Sequence, residues 1–121
     1  MKIKFLGGAG TVTGSKYLVT IEDKKILVDC GLFQGVKNLR EKNWLPFPID
    51  VSSINAIVIT HAHIDHSGYI PALTKAGFKG DIYCSSATLD LCKVLLPDSG
   101  YLQEEDARYA NYKKFSKHSP A

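Results

Sequence analysis

Residues 61–66 read His61-Ala62-His63-Ile64-Asp65-His66 and directly follow the apolar run Ala56-Ile57-Val58-Ile59-Thr60. Three histidines and an aspartate within six residues are unusual in a chain with only four histidines in all. The apolar run is rich in β-formers and predicts a strand that is buried on both faces. Histidine and aspartate both bind metal ions, so the stretch predicts a metal site at the end of a buried strand.

The spacing of the ligands indicates which backbone carries them. Two zinc-binding histidines on a helix stand four residues apart, whereas His61 and His63 stand two apart and share a side only in an extended backbone. Both should project from the C-terminal edge of the strand. Asp65 and His66 come after the chain has turned towards the next helix, and they can face a different point. We therefore expect two metal ions a few ångströms apart, each with part of its ligands from this stretch.

The residue types favour catalysis over structural metal binding. Imidazole and carboxylate ligands suit zinc at an open catalytic site, while thiolates more often close a structural one. Such an ion supplies hydroxide near neutral pH. The alternative is a set of surface histidines beside a helix start with Asp65 as a first-turn acid, and the density of the cluster argues against it. His118 stands alone near the C-terminus and is expected to be a plain surface residue.

The rest of the chain predicts a sheet covered by helices, and hence an α/β or α+β fold. The first three strands should form an antiparallel meander, with a polar turn over residues 22–25. Two closely spaced prolines make residues 45–48 a loop. The predicted strands are 2–6, 16–21, 26–28, 56–60 and 81–85. The predicted helices are a short one around Leu39, one from Ser67 or Gly68 to Gly77, one over 87–96 with Leu91, Cys92 and Leu95 on one face and Pro97 as its end, and one over 101–115.

A glycine-rich segment, Gly7 to Gly14, invites comparison with phosphate-binding loops. The spacing fits neither template, because a dinucleotide fingerprint would need glycine at Thr13 and a P-loop needs four residues between its glycines. The segment also leads into a predicted strand, so no helix N-terminus follows it. It is interpreted as a sharp turn between strands, which could in addition border an active site.

Asp29 follows the apolar strand 26–28 and precedes Gly31. A carboxylate beside a metal site can orient a ligand histidine through the second ring nitrogen. A carboxylate at a strand end can equally cap a turn, and the residues alone leave these two roles open.

The overall composition allows many functions. The net charge of +3 is slight, and the basic cluster Lys113, Lys114 and Lys117 is expected to be a solvated helix end rather than a nucleic-acid patch. Three cysteines form no CxxC pair, so a disulfide framework is not expected. The short apolar run after Met1 does not suit a signal peptide, and no membrane span is expected. Together these features predict a cytoplasmic protein.

The zinc stretch with its flanks, Thr60 to Gly68, resembles the HxHxDH signature of the metallo-β-lactamase fold. Three further stretches are similar to the RNA-processing β-CASP nucleases of that fold: residues 8–15, 29–35 and 103–107. The resemblance implies an αββα sandwich with two zinc ions at one edge of its sheets. It implies that His61 and His63 bind the first zinc and that Asp65 and His66 bind the second. Asp65 would also position the attacking water.

The resemblance also assigns Asp29 to the support of the ligand histidines. Members of that branch are several hundred residues long and take further ligands from beyond position 121, so we expect residues 1–121 to be the N-terminal part of the domain with an incomplete site. The leading hypothesis is a zinc-dependent phosphodiesterase that acts on RNA, and the full-length protein could be a homo-oligomer. A glyoxalase-like hydrolase of small thioesters or esters and a non-catalytic metal-binding fragment are the alternatives.

Overall fold

A computed structural model describes residues 1–114 of the chain. Within them, five β-strands and four α-helices alternate with loops and with two 3₁₀ turns, Glu41–Trp44 and Val51–Ser53. The strands are β1 (Lys2–Gly7), β2 (Lys16–Ile21), β3 (Lys24–Val28), β4 (Ala56–Val58) and β5 (Asp81–Tyr83). The helices are α1 (Lys37–Arg40), α2 (Ile64–Ser67), α3 (Ile70–Lys75) and α4 (Ser86–Lys113). The mixed α/β class predicted from the sequence is confirmed.

The five strands form one sheet in the order β1-β2-β3-β4-β5. The predicted meander is confirmed, since β1 to β3 pair antiparallel. The turn between β2 and β3 is shorter than predicted, because Lys24 and Lys25 already pair with Ile21 and Thr20. Both β4 and β5 add in parallel, so β3, β4 and β5 end at the same edge of the sheet.

One face of the sheet carries the core. Leu18, Leu27 and Ile57 lie side by side across β2, β3 and β4 and are buried. Ile70 and Leu73 of α3 belong to the same buried cluster. This packing places α3 on the buried face of the sheet. The preceding helix, α2, lies beside the residues that follow β3, since Cys30 and Leu32 donate to its carbonyls.

The other face, which we call the open face, consists of the paired residues Phe5, Tyr17, Val28, Val58 and Tyr83. Val58 is 37% exposed, Tyr83 56% and Phe5 65%. The prediction that residues 56–60 are buried on both faces is therefore wrong for the part of the chain that the structure describes. Val58 is an apolar residue, but no element within residues 1–114 fully covers its side chain.

One helix start and one strand end differ from the predictions. The helix expected from Ser67 or Gly68 begins earlier, because Ile64–Ser67 forms a separate turn, α2, and Ile70–Lys75 continues as α3 with a proline near its start. As predicted, Gly77 follows the end of α3, with a positive φ of 118° that suits glycine. The predicted strand over 81–85 ends at Tyr83, because the Ser85 hydroxyl accepts a hydrogen bond from the Thr88 N–H and caps α4.

The prediction that Pro97 ends a helix is wrong, since α4 runs for 28 residues through it. Proline removes one N–H donor but keeps a helix-compatible φ, so the helix continues on both sides. Of the predicted apolar face, Cys92 is buried while Leu91 is 56% exposed. Lys113 and Lys114 form the exposed end of α4, as predicted. Phe115, Lys117 and His118 lie outside the described residues.

Candidate metal centre

The parallel pairing of β3 and β4 brings Asp29 next to Thr60 at the shared edge of the sheet. The Asp29 N–H donates to the Val58 carbonyl at 2.8 Å. The Asp29 carboxylate accepts two hydrogen bonds from Thr60, one from its N–H and one from its hydroxyl, both at 2.8 Å. Asp29 is only 3% exposed and has a positive φ of 61°. Such a conformation is uncommon for a residue other than glycine, and the hydrogen bonds on both sides hold it.

The same carboxylate also contacts the ring of His66. Asp29 Oδ2 lies 2.9 Å from His66 Nδ1. Because an ionised carboxylate only accepts, His66 donates through Nδ1–H, which leaves the lone pair on Nε2. That nitrogen lies 3.4 Å from the Asp65 Oδ2 atom.

His61 is oriented through Thr60 in a similar way. The Thr60 hydroxyl gives its proton to Asp29 and lies 3.0 Å from His61 Nδ1. Its oxygen can therefore accept from Nδ1–H of His61, which again leaves the lone pair on Nε2. Both rings then carry the tautomer in which Nε2 is available as a ligand, because a histidine ligand commonly donates its other ring nitrogen to such a partner.

The three histidine rings lie close together. The ring centroids of His61 and His63 are 4.8 Å apart, and those of His61 and His66 are 3.9 Å apart. His66 is thus nearer to His61 than the spacing argument expected. Within residues 1–114, however, no three His, Cys, Asp or Glu side chains are arranged so that they could hold one metal ion. The imidazole and carboxylate donors, and the Nε2 lone pairs of His61 and His66, suit a metal ion. The described residues do not, however, supply a complete set of ligands for one ion.

The backbone of α2 is held by the loop that follows β3, a contact that the sequence analysis did not predict. The N–H groups of Cys30 and Leu32 donate to the carbonyls of His66 and Ile64 at 2.8 and 3.0 Å. A β-carbon at Gly31 would collide with the carbonyl of Asp65, so this position requires glycine. The signal for it was present, because a glycine follows the Asp29-Cys30 pair in the sequence.

The glycine-rich segment is a turn between β1 and β2, as predicted, and it leads into a strand. Gly14 has a positive φ of 73°, and a β-carbon there would collide with the ring of Phe33. The N–H of Ser15, the next residue, donates to the carbonyl of Asp65 at 3.0 Å. The turn therefore borders the histidine stretch.

Lys16 is a buried cation that sequence reasoning missed. It is 4% exposed, and its Nζ lies 4.3 Å from the ring centroid of Phe33 and 5.1 Å from that of Tyr69. Burial lowers the pKa of Lys16 to about 8, against a smaller opposing effect from Cys30. Burial also raises the pKa of Cys30 to about 12. The alternation of the strand did hold a signal, because Lys16 stands two residues from Leu18 and therefore on the same, buried face of β2.

All three cysteines are free thiols; Cys30 and Cys92 are buried and Cys84 is exposed. Among the helices of residues 1–114, none combines the length and apolar character needed to cross a membrane.

The sequence model of the Metallo-beta-lactamase superfamily matches residues 9–99, and the chain belongs to this superfamily. The chain is similar to solved structures of the same fold. A metallo-beta-lactamase with a HARLDQ motif from Cronobacter sakazakii superposes with a TM-score of 0.50 at 25% identity, over 71% of this chain and 30% of that one. A flavo di-iron protein mutant from Thermotoga maritima gives a TM-score of 0.53 at 25% identity, over 68% and 21%. The superfamily is thus one of metal-binding proteins.

Relatives known by sequence include a ribonuclease and a transcription termination factor. Ribonuclease TTHA0252 of Thermus thermophilus is 38% identical over 105 residues, which are 87% of this chain and 24% of that protein. Transcription termination factor FttA of Methanocaldococcus jannaschii is 30% identical, over 93% and 18%. The Integrator complex subunit 11 homolog of Dictyostelium discoideum is 32% identical, over 93% and 16%. These relatives confirm the RNA-processing branch indicated by the motifs, and the chain spans a quarter or less of their length.

Proposed function

We propose that this chain supplies one part of the active site of a zinc-dependent phosphodiesterase that cleaves RNA. The observation that supports it most is the pair of anchored histidines at the edge of the sheet, His66 on Asp29 and His61 on Thr60. The relatives named as a ribonuclease and as a transcription termination factor favour RNA as the substrate.

Each residue of the stretch has a role in this proposal. His61 and His63 bind the first zinc, and Asp65 and His66 bind the second. Asp65 in addition positions the attacking water, and its carboxylate already lies beside His66 Nε2. Asp29 is a positioning residue that keeps Nε2 of His66 free. When bound, zinc makes hydroxide available near neutral pH and stabilises the charge that develops on the substrate.

The number of ligands has a consequence for the 121-residue chain. Two protein ligands per zinc are fewer than the three that a catalytic zinc commonly has. We expect residues 1–121 to bind zinc weakly and to leave RNA intact when alone. The proposal also keeps the cytoplasmic location predicted from the sequence.

Zinc binding is tested by calorimetric titration of the 121-residue chain. The double variant His61→Ala/His63→Ala should lose zinc stoichiometry, while His118→Ala, a histidine outside the stretch, should keep it. Equal zinc content in the double variant and the wild type would show that the stretch is not the site.

Catalysis is tested with the 121-residue chain and with a longer version that continues past Ala121, both on labelled RNA and on a small thioester with zinc added. We expect RNA cleavage by the longer version alone and its loss in Asp65→Ala. Robust cleavage by the short chain would show that its site is already complete. Thioester turnover with intact RNA would instead assign the protein to the small-ester hydrolases.

A further inference from the structure

A cavity of about 270 Å³ lies between the turn that follows β1 and the loop Leu45–Pro48. Its lining includes two lysines and several aromatic rings, among them Lys16, Lys42, Phe33, Phe47 and Tyr69. No aspartate or glutamate of the described residues lines it. The cavity is therefore apolar in its walls and positive in its charge.

The ammonium group of Lys16 has no anionic partner there. Its polar contact is the carbonyl of Gly14 at 3.5 Å, and none of the salt bridges within residues 1–114 includes it. A buried charge without an opposite charge destabilises a fold unless something else compensates. The rings of Phe33 and Tyr69 compensate in part, since a cation is attracted to a ring face.

A second cation approaches the same ring. Lys42 Nζ lies 5.4 Å from the centroid of Phe33, which already receives Lys16. The position of Phe33 is fixed, because the Asn43 side chain accepts from its N–H and donates to its carbonyl, both at 2.8 Å. Lys16 and Lys42 both line the cavity, so an anion inside it would have two cations to pair with.

The remaining walls suit a flat ring. Phe47 and Tyr69 stack with centroids 6.0 Å apart and planes 23° from parallel. Aromatic rings combined with cations are the usual means of holding a nucleobase and its phosphate. The volume lies just below the roughly 300–1,000 Å³ of pockets that hold drug-sized ligands, so it suits one nucleotide rather than several.

The cavity adjoins the histidine stretch through the backbone. Ser15, next to Lys16, donates its N–H to the carbonyl of Asp65. Tyr69 follows His66 by three residues, and its N–H donates to the carbonyl of Cys30 at 3.0 Å. The walls of the cavity are thus connected to the proposed metal centre through the backbone, although His61, His63, Asp65 and His66 do not line it.

We propose that this cavity binds one nucleotide, with its phosphate between Lys16 and Lys42 and its base against the rings of Phe47 and Tyr69. The nucleotide is one unit of the RNA strand next to the cleaved bond, an assignment that rests on the proposed function. A free nucleoside monophosphate has the same chemistry and serves as the probe.

The test is calorimetric titration of the 121-residue chain with 5′-AMP and with adenosine, in EDTA so that no metal contributes. We expect 5′-AMP to bind and adenosine to bind about tenfold more weakly, because a charge-assisted contact to phosphate is lost. Lys16→Met should weaken 5′-AMP binding at least about tenfold, whereas Lys16→Arg should largely keep it. Lys93→Met, at an exposed position of α4, is the matched control and should leave the affinity for 5′-AMP unchanged.

Lys42→Met is the second variant, because Lys42 is exposed and its replacement does not disturb the core. It should weaken binding several-fold. Absence of 5′-AMP binding by the folded wild type, or equal affinity in Lys16→Met, Lys42→Met and wild type, would overturn the proposal.

Two further measurements complete the test. One distinguishes RNA from a free nucleotide as the ligand, and the other distinguishes the cavity proposal from the metal-centre proposal. A short RNA oligonucleotide should compete with 5′-AMP, and failure to compete would mean that the cavity does not hold a unit of RNA. His61→Ala/His63→Ala should keep 5′-AMP affinity. If the wild type binds 5′-AMP but does not bind zinc, only the proposed metal centre is refuted.

Discussion

Asp29 connects three parts of the chain at the scale of single residues. Its carboxylate joins the end of β3 to Thr60 beyond β4 and to the His66 ring of α2. A carboxylate with three contacts and 3% exposure is held more firmly than a turn cap needs. This geometry supports the orienting role over the capping role, although both kinds of contact are present.

Asp29→Asn should lower zinc affinity by about 10–100-fold, because the amide can no longer accept on both atoms while orienting His66. Titration with zinc measures this, and thermal unfolding of the metal-free chain checks that the fold persists. Asp23→Asn, an exposed carboxylate in the β2–β3 turn, should bind zinc like the wild type. Unchanged zinc affinity in Asp29→Asn would return this residue to the turn-capping role.

Lys16 and Cys30 should make the stability of the chain depend on pH in the alkaline range. The folded-state pKa of Lys16, about 8, lies below its ordinary 10.5, so above pH 8 the unfolded chain binds more protons and the free energy of unfolding rises. The folded-state pKa of Cys30, about 12, lies above its ordinary 9.0, so above pH 9 the unfolded chain releases its proton first and the free energy of unfolding falls.

The two effects together predict a rise of about 1 kcal/mol between pH 8 and pH 9, with little further gain above pH 9. Urea unfolding at closely spaced pH values measures it. Lys16→Met should remove the rise and raise stability at pH 7, since a buried charge is replaced by an apolar chain of similar length. Lys93→Met should keep the rise, and a flat profile in the wild type would show that Lys16 is solvated.

Helix α4 shows, at the scale of an element, how a local rule can fail. Proline is the strongest stop signal for a helix, yet α4 continues through Pro97. Pro97→Ala should therefore stabilise the helix by up to about 3 kcal/mol, because the lost hydrogen bond returns. Circular dichroism during thermal unfolding measures the gain. Asp98→Ala, at the exposed neighbouring position, should stabilise the helix by well under about 1 kcal/mol. The helix signal itself should be the same in both proteins, because α4 already includes Pro97. A larger helix signal in Pro97→Ala would mean that the wild-type helix stops before the proline.

The single sheet decides the behaviour of the molecule as a whole. Its open face presents Phe5, Val58 and Tyr83 to solvent, and contiguous apolar patches of this kind mark contact surfaces. We expect the 121-residue chain to self-associate through this face. Sedimentation velocity should show a shift towards monomer in Val58→Thr/Tyr83→Thr. Val94→Thr, an equally apolar exposed position on α4, is the control and should leave association unchanged. A monomeric wild type at high concentration would contradict the prediction.

The sequence by itself determined the strands, their meander and the position of the histidine stretch. These features depend on alternation, glycine turns and ligand spacing, which act between residues near each other in the chain. Lys2–Gly7, Lys16–Ile21 and Ala56–Val58 were therefore predictable, as was the role of Gly77 at the end of α3.

Only the tertiary structure decided which groups meet across the chain. The contact of Asp29 with His66 spans 37 residues and exists because β3 and β4 pair in parallel. The burial of Lys16 depends on Phe33 and Tyr69, which lie far from it in sequence. The exposure of Val58 depends on whether another element packs against the open face of the sheet. Such contacts follow from how the elements pack, and the local pattern of residues carries no information about that packing.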